Sequence, residues 1–197
     1  MKITIALVGD SQVGKSKLLQ SIKNEEAKPS YVPRTTTEFT INYSIKKGQS
    51  LEVQFYDTIG GYDYNYTRPK IYSKCKIIWL CYSITQPSTL SNIISKWKPE
   101  VDRSSSKLVV FLVGLKADLR KDPDVIQNLS YSQQEPVSPQ AGIKIAHDLN
   151  AVKYIECSSV SHKGIDTLIH QSVLALSDDS SKSDKKSDKS DKGCLLM

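Results

Sequence analysis

The sequence predicts an α/β fold: a six-stranded, mostly parallel sheet with helices on both faces. Short apolar runs typical of buried strands alternate with segments whose apolar residues have helical spacing. A glycine-containing turn joins the first apolar run to the first helical segment. The 197 residues suffice for one domain with a sizeable core and a tail.

The predicted strands are Ile3–Val8, Phe39–Ile45, Leu51–Tyr56, Lys76–Tyr82, Leu108–Val113 and Tyr154–Cys157. The second and third flank a hairpin-like turn, Lys46–Gln49, and form an antiparallel edge pair. The predicted helices are Lys15–Lys23, Leu90–Trp97, Gln140–Leu149 and Ile165–Leu176, with a short solvent-facing helix over Asp122–Ser132. The alternation indicates βαβ units, with residues 1–176 as one domain.

Composition excludes several classes of protein. No stretch approaches the roughly 18 apolar residues of a membrane span. The N-terminus runs directly into the first strand, so we expect no cleaved secretory peptide. The four cysteines lack metal-type spacing, which favours reduced thiols in the cytosol. The net charge of +6 is mild, and we expect no nucleic-acid partner.

The turn after the first strand matches G-x-x-x-x-G-K-[ST]: Gly9, Asp10, Ser11, Gln12, Val13, Gly14, Lys15 and Ser16, followed by Lys17. Its glycines allow backbone N–H groups to surround a phosphate chain at a helix N-terminus. Lys15 is expected to reach the terminal phosphates, and the Ser16 hydroxyl to bind Mg²⁺. A chance glycine-lysine turn is the alternative, but strand, glycine loop and helix are the context that this motif requires. The sequence therefore predicts binding of a nucleoside di- or triphosphate.

Asp57 and Gly60 follow the third strand and predict the second half of the phosphate site. The carboxylate is expected to hold Mg²⁺ through water, and the Gly60 N–H to sense a γ-phosphate.

Base recognition is predicted after the last two strands. The Asp118 carboxylate can accept from the two N–H groups on one edge of guanine, while the Lys116 stem covers the base. Adenine lacks that donor pair, so the nucleotide is expected to be GTP or GDP. The loop carrying Ser158 and Ser159 places backbone N–H groups where guanine O6 is expected. All four elements stand at strand carboxyl ends, where α/β sheets bind ligands.

On these motifs the chain resembles a small GTPase of the Ras superfamily, and more narrowly the Rho/Rac family, over about residues 2–176. The Rho-like segments are Tyr31–Pro33, Arg68–Pro69, Trp97–Val101, Val113–Gly114, Asp118–Arg120 and Glu156–Ser158. The segment Asp122–Ser132 resembles the Rho insert helix in position and length. The resemblance implies the P-loop GTPase fold, GTP/GDP and Mg²⁺ as ligands, and exchange factors, a GDP-dissociation inhibitor and effectors controlling actin as partners.

The chain departs from the family at the residues next to the terminal phosphate. The resemblance assigns catalysis to Lys15, Thr35, Gly60 and the residue after Gly60, which in the family is a glutamine that orients water. Here it is Gly61, so we expect slow hydrolysis. Ser11 replaces a glycine of the family and is expected to obstruct water and an incoming arginine finger. Gln12 or Tyr62 is the alternative group for positioning the water.

Switch I and the base pocket also differ from the family pattern. Counting from Lys15 places Arg34 at the metal-ligating threonine position, whereas counting back from Asp57 places Thr35 there, which we favour. With Thr35, the expected metal ligands are Ser16, Thr35 and Asp57. Ala27 and Leu115 replace residues that pack near the base, and both are expected to speed nucleotide release.

Residues 177–197 are expected to form a disordered tail. Ser177–Lys192 contains only serine, aspartate and lysine, and five lysines face five aspartates between Asp178 and Lys192. The chain ends Cys194-Leu195-Leu196-Met197, a C-a-a-X signal for prenylation of Cys194, with Met favouring farnesyl. The expected location is the cytoplasmic face of a membrane, the plasma membrane first, with a cytosolic pool.

Three functions fit these residues. The first is a Rho-like molecular switch with slow GTP hydrolysis. The second is an effector-binding module that stays GTP-loaded or exchanges nucleotide rapidly. The third, a P-loop kinase or ATPase, requires an arginine-rich lid, and arginine is scarce in this chain.

Overall fold

The computed structural model describes residues 2–24, 36–45, 49–61, 64, 66–104 and 107–183 of the chain. These residues form one sheet with helices against both faces. The expected switch I residues Tyr31–Thr35, together with Ala27 and Tyr62, lie outside the described residues. So does Cys194 with the rest of the tail beyond Ser183.

The sheet has six strands in the order β2-β3-β1-β4-β5-β6. They are β1 Lys2–Val8, β2 Thr37–Ile45, β3 Gln49–Asp57, β4 Ile77–Ser83, β5 Val109–Leu115 and β6 Lys153–Cys157. Neighbouring strands pair in parallel except β2 and β3, which are antiparallel with Ile45 opposite Gln49. The predicted fold is confirmed, including the antiparallel edge pair.

The helices are α1 Lys15–Ile22, α2 Arg68–Tyr72, α3 Pro87–Asn92, α4 Lys98–Ser104, α5 Pro123–Ser130, α6 Pro139–Asp148 and α7 Ile165–Ser183. A π-helical turn, Ile93–Trp97, joins α3 to α4, and a 3₁₀ helix, Ala117–Lys121, precedes α5. The helix predicted over Asp122–Ser132 is present as α5, and the Asp122 side chain caps it by accepting a hydrogen bond from Val125 N–H. The sequence did not predict α2, α4 or the 3₁₀ helix.

Two cores lie on opposite faces of the sheet, because successive strand residues point to opposite sides. Ile3, Ile5 and Leu7 of β1 join the core beneath α1 and α7, whereas Ala6 and Val8 join the core beneath α3, α4 and α6. Every residue of β4 is buried, as expected for a central parallel strand covered on both faces.

Helix α7 continues to Ser183, past residue 177, where the sequence predicts the disordered tail to begin. The prediction assumed that a segment without apolar residues cannot offset the entropy of ordering. A helix already formed by packed turns extends at little cost, because nucleation is the unfavourable step. Serine and aspartate are only moderately poor helix formers.

Within the described part of the chain, no helix has the length and apolar character needed to cross a bilayer. The thiols of Cys75, Cys81 and Cys157 are free and buried.

Candidate functional site

The loop Gly9–Gly14 connects β1 to α1 in a conformation that depends on its glycines. Gly9 has φ 153°, and a Cβ on it would stand 2.0 Å from the Cys81 carbonyl oxygen. Gly14 has φ 113° and caps the N-terminus of α1. Between them Ser11 and Gln12 are exposed, and Val13 is buried in the core beneath α1. The loop therefore has the shape that the motif predicted, at the carboxyl edge of the sheet.

Lys15 opens α1 and is buried inside this loop. Its Nζ donates to the carbonyl oxygens of Gly9 at 2.8 Å and Asp10 at 2.7 Å. Burial lowers the pKa of Lys15, and the nearby charge of Asp57 acts in the opposite direction. A buried ammonium group held by two loop carbonyls is positioned to meet a phosphate anion. Its neighbour Lys17 is exposed.

Asp57 ends β3 with a carboxylate oxygen, Oδ1, that is buried and has no hydrogen-bond partner among the described residues. Burial raises the pKa of Asp57, while a hydrogen bond with Ser16 and the charge of Lys15 act to lower it. A cavity of about 160 Å³ opens beside this carboxylate, lined in part by Ser16, Thr37 and Asp57. An unpaired buried carboxylate oxygen next to a hydroxyl matches the oxygen ligands that Mg²⁺ prefers.

Ser16 and Asp57 therefore fit the predicted metal, which, when bound, neutralises charge on the phosphate oxygens. The third predicted ligand, Thr35, lies outside the described residues, as does Arg34.

Gly60 packs directly on the phosphate loop. A Cβ on Gly60 would stand 2.3 Å from Ser11 N and 2.7 Å from the Gly9 carbonyl oxygen, so any side chain here displaces backbone. Gly61 is different, because among the described residues a Cβ there would meet only the Tyr64 ring, at 3.6 and 3.8 Å. Those are ordinary contact distances. The described neighbours of Gly61 therefore leave room for a larger residue.

Lys116 joins the base-binding region to the phosphate loop. It has φ 61°, and its Nζ donates to the Gln12 carbonyl oxygen at 3.0 Å. Burial lowers the pKa of Lys116, as does the charge of Lys17, with Asp118 opposing them. Asp118 is exposed in the first turn of the 3₁₀ helix, so its carboxylate is accessible to a ligand.

The loop after β6 is stabilised by hydrogen bonds to the side chain of Ser158. Ser158 Oγ accepts from the backbone N–H groups of Val160 at 3.2 Å and Ser161 at 3.0 Å. The carbonyl oxygen of Ser159 accepts from Ser21 Oγ of α1 at 3.2 Å. The loop predicted to meet guanine O6 is thus attached to the helix that follows the phosphate loop.

Arg120 connects the two base-binding segments. Its guanidinium group donates to both carboxylate oxygens of Glu156, at 2.6 and 2.5 Å, and to the Val137 carbonyl oxygen at 3.0 Å. Because Arg120 follows Asp118 and Glu156 precedes Ser158, this ion pair fixes the spacing between the two segments. Both residues lie in segments that resemble the Rho family, but the sequence predicts no role for either.

A second ion pair, which is buried, was also not predicted. Arg68 Nε and Nη2 donate to the two oxygens of Glu100, each at 2.7 Å, and Tyr72 donates to Glu100 Oε1 at 2.6 Å. Arg68 Nη1 donates to the carbonyl oxygens of Ile59 at 3.0 Å and Gly61 at 2.7 Å. Arginine and glutamate are rarely fully buried unless paired, but the sequence alone does not show which partners meet.

The described residues thus form a phosphate-binding loop, a carboxylate suited to Mg²⁺ and two base-facing segments at one edge of a mostly parallel sheet. This arrangement defines a nucleotide-binding α/β protein of the P-loop class. The family model of the Ras family matches residues 4–178. The chain belongs to the Ras family of small GTPases, which are GTP-binding switches.

Proposed function

We propose that this chain is a Rho-like switch that hydrolyses GTP slowly and acts from a membrane on the actin cytoskeleton. The proposal of slow hydrolysis rests on Gly61, because a glycine has no side chain to orient water beside Gly60 and the phosphate loop. Positioning of water accounts for much of the catalysis of phosphoryl transfer, so loss of a water-orienting amide lowers the rate. Ser11, exposed on the same loop, adds an obstruction to water or an arginine finger.

The Rho-like assignment rests on α5 and on the segments that resemble that family. Helix α5 lies between β5 and α6, where the resemblance places the insert helix. Exchange factors, a GDP-dissociation inhibitor and effectors follow as proposed partners. Prenylation of Cys194 is the proposed attachment to the cytoplasmic face of the plasma membrane, with a cytosolic pool.

Single-turnover GTP hydrolysis by the Gly61→Gln variant tests the catalytic part of this proposal. Tyr64 stands at ordinary contact distance from position 61, so we expect the variant to fold and its rate to rise by about tenfold or more. Gly61→Ala is the matched control, because it adds a Cβ without an amide and leaves the rate unchanged. Equal rates for the glutamine variant and the wild type would show that the missing amide is not limiting.

A second candidate function is a module that exchanges nucleotide rapidly. Leu115 favours this second function. Its side chain is 2% exposed and lies 3.7 Å from the point where a Cβ on Gly14 would stand. It therefore supplies only apolar contact beside the phosphate loop. The nucleotide that copurifies, together with the rate of GDP release, separates the two functions. GTP with slow release supports the slow-hydrolysis switch, and fast release without an exchange factor supports the module.

A further inference from the structure

The carboxylate of Asp10, the second residue of the phosphate loop, points away from the ligand side and is held by two neutral donors. Its Oδ2 accepts from Asn92 Nδ2 at 2.7 Å, and its Oδ1 accepts from Trp97 Nε1 at 2.8 Å. Asn92 ends α3, and Trp97 ends the π-helical turn. An ionised carboxylate can only accept hydrogen bonds, so two donors that converge on it satisfy both of its oxygens.

The same indole also contacts the segment after β3. The Arg68 guanidinium carbon lies 4.8 Å from the centroid of the Trp97 ring, within the range of a cation–π contact. Arg68 holds the carbonyl oxygens of Ile59 and Gly61, the two residues on either side of Gly60. One fully buried side chain, Trp97, therefore connects the phosphate loop to the backbone on both sides of Gly60.

Gly60 and the phosphate loop also touch each other. A Cβ on Gly60 would stand 2.5 Å from the Asp10 carbonyl carbon and 2.3 Å from Ser11 N. A small displacement of either segment therefore displaces the other. The sequence predicts that N–H groups of both segments meet the terminal phosphate.

We propose that Trp97 is a positioning residue for the terminal phosphate, acting through Asp10 on the phosphate loop and through Arg68 on Gly60. This role depends on guanine-nucleotide binding by the Ras family, and it is independent of slow hydrolysis and of membrane attachment. The Asp10–Trp97 contact affects both nucleotides, because both occupy the loop. Because Gly60 packs on the backbone of Asp10 and Ser11, a displaced loop also displaces Gly60. The Gly60 N–H is predicted to meet the γ-phosphate, so loss of the Asp10 contact affects the triphosphate more than the diphosphate.

The test compares dissociation of GDP and of a non-hydrolysable GTP analogue from Trp97→Phe, which keeps a ring but removes the indole N–H. Leaving Asp10 Oδ1 without its donor is expected to speed analogue release about tenfold and GDP release about threefold. Trp79→Phe is the matched control, since Trp79 donates to Ser172 Oγ at 3.0 Å in the opposite core. In the control we expect the ratio of the two release rates to stay at the wild-type value.

A second test changes the acceptor and leaves the tryptophan in place. Asp10→Ala removes the oxygen that accepts from the indole N–H, and it is expected to raise the ratio of analogue release to GDP release as Trp97→Phe does. Adding Trp97→Phe to Asp10→Ala is expected to raise the ratio no further, because the contact is already lost. In the GDP-bound chain, Asp10→Ala also shifts the indole N–H resonance that Trp97→Phe removes. The proposal is wrong if Trp97→Phe changes the ratio no more than Trp79→Phe, if the effects of the two substitutions add in the double variant, or if the indole resonance stays in place.

Discussion

Arg68 is fully buried, and its charge is balanced by Glu100, whose side chain is 10% exposed. Burial by itself raises the pKa of Glu100, but the hydrogen bonds from Arg68 and Tyr72 outweigh it and hold that pKa below 4.5. The buried hydroxyl of Tyr72, which donates to the same carboxylate, has a pKa raised above its ordinary value. A protonated Glu100 cannot balance the arginine, so this residue makes folding sensitive to acid.

Glu100→Gln is expected to lower the free energy of unfolding by about 3 kcal/mol at pH 7, because it leaves Arg68 buried without a counter-charge. The pKa of the Glu100 carboxyl is lower in the folded chain than in the unfolded chain. Such a group stabilises the fold fully at pH values above its unfolded-state pKa. This contribution is lost as the pH falls through its folded-state pKa. The difference between wild type and variant should therefore shrink as pH falls below 4.5. Urea unfolding at a series of pH values measures it.

Glu52→Gln is the control for this prediction. Glu52 pairs with Lys2 at 2.9 Å, with the two side chains 45% and 48% exposed. A surface pair of this kind contributes less than about 1 kcal/mol. An equal loss of unfolding free energy in Glu100→Gln and Glu52→Gln would contradict the assignment of Glu100 as a buried counter-charge.

Among the elements, helix α6 packs closely on β6 at Gly142. A Cβ on Gly142 would stand 2.2 Å from Cζ of Tyr154, whose hydroxyl donates to Glu156 at 2.6 Å and also meets the Tyr82 hydroxyl at 2.6 Å. Burial raises the pKa of Tyr82 to about 12. Both hydroxyls therefore stay protonated at neutral pH, and their hydrogen bonds hold the Tyr154 ring against the helix. The position of this ring sets the distance between α6 and β6 at Gly142.

Gly142→Ala is expected to destabilise the protein by about 2 kcal/mol, although alanine is the better helix former by roughly 1 kcal/mol. The reason is the clash with the Tyr154 ring, which its hydrogen bonds hold in place. Gln140→Ala, at an exposed position of the same helix, is the control and is expected to be neutral or slightly stabilising. Thermal unfolding compares the two variants, and a stabilised Gly142→Ala protein would refute this account.

The sequence predicted the strands well because their apolar runs are continuous, as buried parallel strands require. It also predicted the motif residues Gly9, Lys15 and Asp57, whose spacing carries their role. It missed α2, which has five residues and contains Pro69, because so short a segment has no usable periodicity. The contacts of Asp10 with Trp97 and of Arg120 with Glu156 join residues distant in sequence, and no local pattern encodes them.

At the scale of the whole molecule, α7 determines where the C-terminal tail begins. The helix starts after β6 at the nucleotide edge, and its Ser172 Oγ accepts from Trp79 in the middle of the sheet. It therefore runs antiparallel to the strands and carries the chain toward their amino ends. The chain that leads to the proposed lipid site at Cys194 therefore leaves α7 at the edge of the domain opposite the nucleotide.

Cys194→Ser is expected to move the protein from the membrane into the soluble fraction, because it removes the thiol that we propose is prenylated. A single lipid chain gives only marginal, reversible binding, so the wild type is expected in both fractions. Met197→Leu is the control, because it keeps the cysteine and exchanges the farnesyl signal for a geranylgeranyl signal. Cell fractionation measures all three proteins, and an unchanged distribution of Cys194→Ser would contradict lipid attachment.

Lys15 and Asp57 place an ammonium group and a carboxylate in the interior, where burial disfavours the charged form of each. A ligand that binds only the folded chain stabilises it in proportion to the logarithm of its concentration. For this fold the ligand also supplies counter-charges to groups that the protein itself leaves partly unbalanced. Guanine nucleotide is therefore expected to slow proteolysis of the polypeptide and so to raise the number of copies that a cell holds.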